Sequence, residues 1–225
     1  MNKAKLLEFF DATDVREDIH VVGCGAIGSH VCEQLARLGF TKVHLYDFDI
    51  VEAHNITNQM FDELDIGELK VEACYVNMGL INGELEKITV HPEGLKEPYI
   101  LNGIIILCVD DIELRSKIVR ANQFNPYCTA IMDFRMRLTD AQCYFAVTNK
   151  PSSVKELLET MNFTHEEAVA ATPKSACGYE LSVIYTVKMI VSAGMANLVQ
   201  YLQKETPKKL ILVNTAMFTL DAFDL

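Results

Sequence analysis

The run Gly23-Cys24-Gly25-Ala26-Ile27-Gly28, followed 19 residues on by Asp47, has the residue types and spacing of a nucleotide-binding turn. Each residue has a physical task. The first glycine permits a tight turn, the second lets backbone come close to phosphate, and the third lets a helix pack closely on a strand. The helix that opens there presents its positive end to an anion, and Asp47 can accept hydrogen bonds from ribose hydroxyls. The motif lies between a strand-like run, Ile19-His-Val-Val-Gly23, and a helical run that Gly39 is expected to stop near Leu38, and Asp47 ends the next strand. This order of strand, turn, helix, strand and acid gives the glycines a meaning that they would lack alone.

The segment beyond Asp47 bears on which nucleotide is bound. Asp47-Phe-Asp49-Ile-Val-Glu-Ala-His54-Asn55-Ile-Thr-Asn58-Gln59 is dense in polar groups just past a strand's C-terminal end, where α/β folds place ligands. The amides of Asn55, Asn58 and Gln59 could bind phosphate or ribose oxygens, and His54 is the histidine nearest to them. Lys70 follows at the start of another helix, suited to a polyphosphate, although a solvated helix-entry lysine reads the same way. An NAD site would account for the glycines and Asp47, but Asn55, Gln59, Lys70 and Asp110 would then need separate explanations.

Taken together these residues resemble the ThiF/MoeB/HesA family of adenylating enzymes, relatives of the ubiquitin-activating enzymes. The family run Asp-x-Asp-x-Val-x-x-x-Asn-x-x-Arg-Gln followed by Gly-x-x-Lys is matched by Asp47, Asp49, Val51, Asn55, Gln59, Gly67 and Lys70. A second match, Val109-Asp110-Asp111-Ile-Glu-Leu-Arg115, is similar to the family's Thr-Asp-Asn-x-x-x-Arg. The resemblance is good over residues 18–135 and loose beyond. It implies ATP-dependent adenylation of a carboxylate, that of a peptide or of the C-terminal glycine of a ubiquitin-like or sulfur-carrier protein. It further implies phosphate stabilisation by Lys70 and Asn55, ribose binding by Asp47, Mg2+ at Asp110, positioning by Gln59, a structural role for Asp49 at the turn, and a homodimer.

The departures matter as much as the matches. Asn58 stands where the family has Arg, so a positive charge expected at the phosphates is missing, and no Arg-Tyr-x-Arg-type segment precedes the first strand. A non-catalytic relative that binds nucleotide or carrier therefore stays open as an alternative. Arg135, in Met132-Asp133-Phe-Arg135-Met136, could supply charge to the carboxylate or adenylate, or it could pair with Asp133; this stretch is similar to a segment of some small bacterial and phage ThiF relatives. Cys177, in a polar loop before a helix, is the candidate for a thioester-forming cysteine, with a small helix-capping residue as the other reading. The two Cys-x-x-Cys pairs of zinc-bearing members are absent, so a tetrathiolate zinc is not expected.

The elements that must position these groups follow an α/β pattern: a Rossmann-like, mostly parallel sheet with helices on both faces, extended by antiparallel strands in the C-terminal part. Helices are expected over 3–11, up to 38, 68–80, 112–123, 152–160 and 179–202; strands over 19–23, 42–47, 87–91, 104–109, 128–133, 141–147 and 209–213, with a last one around 218–220. One domain is expected, its nucleotide-binding half ending near 135 and the rest including a crossing loop. Ser192-Ala-Gly194-Met-Ala196 would let the long apolar helix pack closely. The 20 Lys and Arg against 31 Asp and Glu give a net charge of −11, which argues against a nucleic-acid surface. Seven scattered cysteines and the absence of a secretory h-region or an uninterrupted apolar span place the expected site of action in the cytoplasm.

Overall fold

The computed structural model describes residues 2, 4–84, 87–164, 166–167, 170, 173 and 181–224. Their strands form one sheet of eight in the order β3-β2-β1-β4-β5-β6-β7-β8. The first five, β1 (Ile19–Val22), β2 (Val43–Tyr46), β3 (Ile88–His91), β4 (Gly103–Leu107) and β5 (Cys128–Arg137), run parallel. The last three, β6 (Asp140–Val147), β7 (Lys208–Asn214) and β8 (Thr219–Asp224), add antiparallel. The chain reverses outward from β1 on both sides, and the crevice between the ends of β1 and β4 is the switch point at which such sheets bind ligands.

Alternate residues of each central strand face opposite layers. Ile19, Val21, Val43, Leu45, Ile104 and Ile106 join a core with helices α1 (Ala26–Leu38), α2 (Lys70–Asn82) and α5 (Ile184–Leu202). Ile105, Leu107 and Ile131 meet α3 (Ile112–Asn122) and α4 (Pro151–Glu159) on the other face. The period-2 burial of strands and the apolar stripes of the helices thus select one register. In α5, Gly194 is required by volume, since a Cβ there would lie 2.4 Å from the Phe134 ring. No helix among the described residues is long and apolar enough to cross a membrane.

Three expectations are corrected. Within the segment expected as a helix over 3–11, of which residue 3 lies outside the described residues, 4–9 form hydrogen-bonded turns, with Phe9 and Phe10 N–H both donating to the Leu6 carbonyl, and a short 3-10 helix, Ala12–Asp14, follows. Of its large apolar residues Phe10 is buried while Leu7 and Phe9 stay exposed, too little packing to hold a short helix. β5 continues past 133 to Arg137 without a break at the expected division, because β6 pairs with it along its length. The long apolar helix begins at Ile184, with residues 181–183 non-helical and 179–180 outside the described residues.

No helix connects β3 to β4, and the sheet face beside them is covered differently. His20, His44, Tyr46 and His91 stack across β1, β2 and β3, with ring centroids 4.6 Å apart for His20 and His44 and 4.2 Å for Tyr46 and His91. His20 Nε2 donates to the Asn102 carbonyl at 2.8 Å, which leaves Nδ1 to accept from the Tyr46 hydroxyl at 3.0 Å. Burial, with His44 adding to it, pushes the His20 pKa down to about 4, against partial opposition from Asp18. Between pH 6.5 and 4 the unfolded chain therefore binds a proton that the native ring refuses, so stability falls as pH drops through this window and levels off below it. Urea melts across that range are expected to lose about 3 kcal/mol from this ring, and His20→Asn to flatten the dependence; an equally steep profile in the variant would place the acid sensitivity elsewhere.

Candidate nucleotide site

The glycine turn is shaped by contacts that exclude side chains. Gly23 has φ +95°, and a Cβ on it would lie 2.8 Å from the Val109 nitrogen; one on Gly28 would lie 1.8 Å from the Gly23 oxygen. Gly25 differs, because a Cβ there would meet nothing within 4 Å. The open space over Gly25 faces the N-terminus of α1, which has no side-chain cap. Uncapped helix N–H groups beside open space suit a phosphate.

Asp47 fixes this turn from β2. Its Oδ2 accepts from the Cys24 N–H at 2.6 Å and its Oδ1 from the Asp49 N–H at 2.9 Å. Each oxygen keeps a lone pair for a ribose hydroxyl. The Asp49 carboxylate in turn receives Lys70 Nζ at 2.9 Å. Lys70 opens α2 and is buried, and its own N–H donates to the Asp49 carbonyl at 2.9 Å. Asn55 is buried in the 3-10 helix Ala53–Thr57, where its Oδ1 accepts from the Glu52 N–H at 2.9 Å, leaving its amide nitrogen to donate. Asn58 ends that helix, and Gln59 Oε1 is buried with no hydrogen-bond partner among the described residues. An unsatisfied buried acceptor calls for a donor that the described residues do not supply. His54 turns to Glu52, at 3.4 Å, while the buried His30 of α1 lies against the Asn58 backbone.

Asp110 is exposed just beyond β4 and makes no hydrogen bond or ion pair among the described residues. Such a carboxylate offers the hard oxygen that magnesium takes. Asp111 beside it caps α3, accepting from Glu113 and Leu114 N–H at 2.8 and 3.1 Å. The turn carrying both is held by Arg115, whose buried guanidinium donates to the Leu107 and Val109 carbonyls and to Asp133. Sequence reasoning quoted Arg115 within a motif but gave it no role; its place one helical turn after the cap was the available signal.

Arg135 stands otherwise than expected as a free charge for the adenylate. Its Nε donates to Asp133 Oδ2 at 2.6 Å, and its two terminal nitrogens donate to the Thr160 carbonyl and hydroxyl at 2.8 and 2.9 Å. This is the ion-pair reading of that residue. Burial lowers its pKa while Asp133 opposes the shift. Cys177 lies outside the described residues. A hollow of about 880 Å³, lined among others by Phe10, Arg16, Lys150 and Tyr201, lies at the opposite end of the parallel strands from the glycine turn.

The ThiF family model matches residues 15–223, and the chain belongs to that family. It is 32% identical over 117 residues to ubiquitin-like modifier-activating enzyme 5 of Xenopus laevis, covering 44% of this chain and 29% of that one. It is 29% identical over 101 residues to adenylyltransferase and sulfurtransferase MOCS3 of Mus musculus, covering 42% and 22%. The chain thus spans less than a third of these relatives. Its fold is that of MccB from E. coli solved with ATP, at TM-score 0.69 and 19% identity over 93% of this chain and 64% of that one.

Removing the Asp133 carboxylate leaves the buried Arg115 guanidinium and the part-buried Arg135 guanidinium without their shared counter-charge. Asp133→Ala is expected to cost about 3–5 kcal/mol in urea unfolding. Unchanged stability would show that the carbonyls of Leu107, Val109 and Thr160 satisfy both arginines alone.

Proposed function

We propose that this chain adenylates a carboxylate with ATP, the carboxylate being that of a peptide or of the C-terminal glycine of a ubiquitin-like or sulfur-carrier protein. The observation that carries the reading is that an uncapped α1 N-terminus over Gly25, the lone pairs of Asp47, the Lys70 ammonium and Asp110, which has no partner among the described residues, all follow the C-terminal ends of β1, β2 and β4. Support for the substrate class comes from the relatives: two are named as modifier-activating and adenylyltransferase enzymes, and MccB has also been solved with AMPCPP and MccA.

In this reading a carboxylate oxygen attacks the α-phosphorus, the bond between the α-phosphorus and the bridging oxygen breaks, and pyrophosphate leaves with the electron pair. The protein aligns the two reactants and compensates charge moving onto the leaving group. Gly23, Gly25 and Gly28 shape the phosphate cradle, Asp47 holds ribose, Asn55 and Gln59 position nucleotide oxygens, and Lys70 faces phosphate after exchanging Asp49 for it. Magnesium bound through Asp110 would neutralise phosphate oxygens. A homodimer, a cytoplasmic location and a thioester at Cys177 belong to the same proposal; the first two draw on the family resemblance and on cysteines that are free among the described residues.

Two alternatives are separated by the same experiment. A non-catalytic relative is favoured by Asn58 and by the engagement of Arg135, and an NAD-dependent oxidoreductase by the glycine turn with Asp47. ATP with magnesium is expected to bind in calorimetry and to support pyrophosphate exchange in the presence of acceptor peptide. Lys70→Ala and Asp110→Ala are each expected to lower exchange by about a hundredfold or more. Binding without exchange supports the non-catalytic reading; NAD binding, or ATP binding indifferent to both changes, overturns the assignment of the site.

A further inference from the structure

Beneath the glycine turn three thiols converge from separate elements. Cys24 lies between Gly23 and Gly25, Cys32 is on α1 and Cys74 on α2, and their Sγ atoms all lie within 4.8 Å of one another. All three side chains are buried, between 0% and 3% exposed. A void of about 10 Å³ reaches two of them and is lined by Cys32, Cys74, Met60, Met78 and Ser29 among others. Two methionines, together with Glu33 and Asn77, line the same void as two of the thiols.

The spacing admits a three-coordinate centre. Three sulfurs each about 2.3 Å from one ion in a plane stand about 4 Å apart, inside the observed limit. No fourth His, Cys, Asp or Glu of the described residues joins the group. Zinc in structural sites takes four ligands, whereas soft thiolate and thioether donors select monovalent copper. We infer that Cys24, Cys32 and Cys74 form a binding site for a single thiophilic monovalent cation of the cuprous class, distinct from the nucleotide site and sharing Cys24 with its turn. Binding replaces S–H bonds by metal–sulfur bonds and releases the displaced protons to solvent, with no change in oxidation state. The site is independent of what the nucleotide pocket catalyses.

The test uses the reduced full chain under anaerobic conditions, titrated with Cu(I) held by bicinchoninate. The wild type is expected to withdraw one equivalent, and X-ray absorption at the copper edge to show three sulfurs without oxygen or nitrogen. Cys74→Ala is expected to bind at least tenfold more weakly, and Cys128→Ala, whose thiol lies apart on β5, to match the wild type. No withdrawal by the wild type, a shell other than three sulfurs, or equal uptake by Cys74→Ala overturns the inference. Should Cys74→Ala fail to fold, the wild-type stoichiometry and absorption spectrum decide alone.

Discussion

The side chain of Asp133 has no solvent exposure and faces two guanidinium groups, so its charge is compensated by protein alone. That constraint organises the ligand end of the sheet. Arg115, held by Asp133, ties the carbonyls at the end of β4 and so sets the turn from which Asp110 projects. Arg135, held by the same carboxylate, clamps the end of α4 through Thr160 and lies 5.8 Å from the centre of the Phe163 ring. A buried triad of this kind is weak evidence for net stability, because desolvating three charges offsets much of their attraction. Its structural effect is orientation: β4, β5, α3 and α4 meet at one point where each donor has one direction to go.

On the other side of the switch point Asp47 performs a similar task with backbone N–H groups. One carboxylate joins the turn after β1 to the turn after β2. The two anchors lie on either side of the strand pair β1 and β4, whose register runs Ile19 with Ile104 to Val22 with Leu107. The glycine contacts then follow from sterics, since Gly23 lies against Val109 and Gly28 against Gly23. A nucleotide would meet a cradle whose shape is fixed before it arrives, which limits the ordering that binding must oppose.

What could be read from the sequence was what depends on near neighbours. The succession of strands and helices along the chain up to β5, the glycine turn, Asp47 and the opening of α2 at Lys70 were legible because each is a local pattern with a periodicity or a cap attached. The fate of Arg135 was not, since it depends on Thr160 arriving from α4. Neither was the convergence of Cys24 and Cys32 with Cys74, which lies on a separate helix and joins them only when α2 packs on α1. The N-terminal segment misled for the opposite reason. Its apolar residues suggested a helix, but only packing could have stabilised one, and Leu7 and Phe9 found none.

Among the residues considered for positive charge near the phosphates, position 58 is Asn and Arg135 is bound to Asp133, whereas Lys70 carries its charge beside the turn. The environment of its ion pair is asymmetric: the Lys70 side chain is 10% exposed and that of Asp49 is 54%. A half-exposed carboxylate loses little when its partner leaves, because water takes the partner's place. The buried ammonium has no such substitute and stays where α2 begins until another anion replaces Asp49. The pair is therefore suited to exchange: Asp49 neutralises Lys70 in this structure, and in the proposed function a phosphate oxygen would do so. This exchange would let a site poor in cations remain folded without ligand and still present a desolvated charge to it.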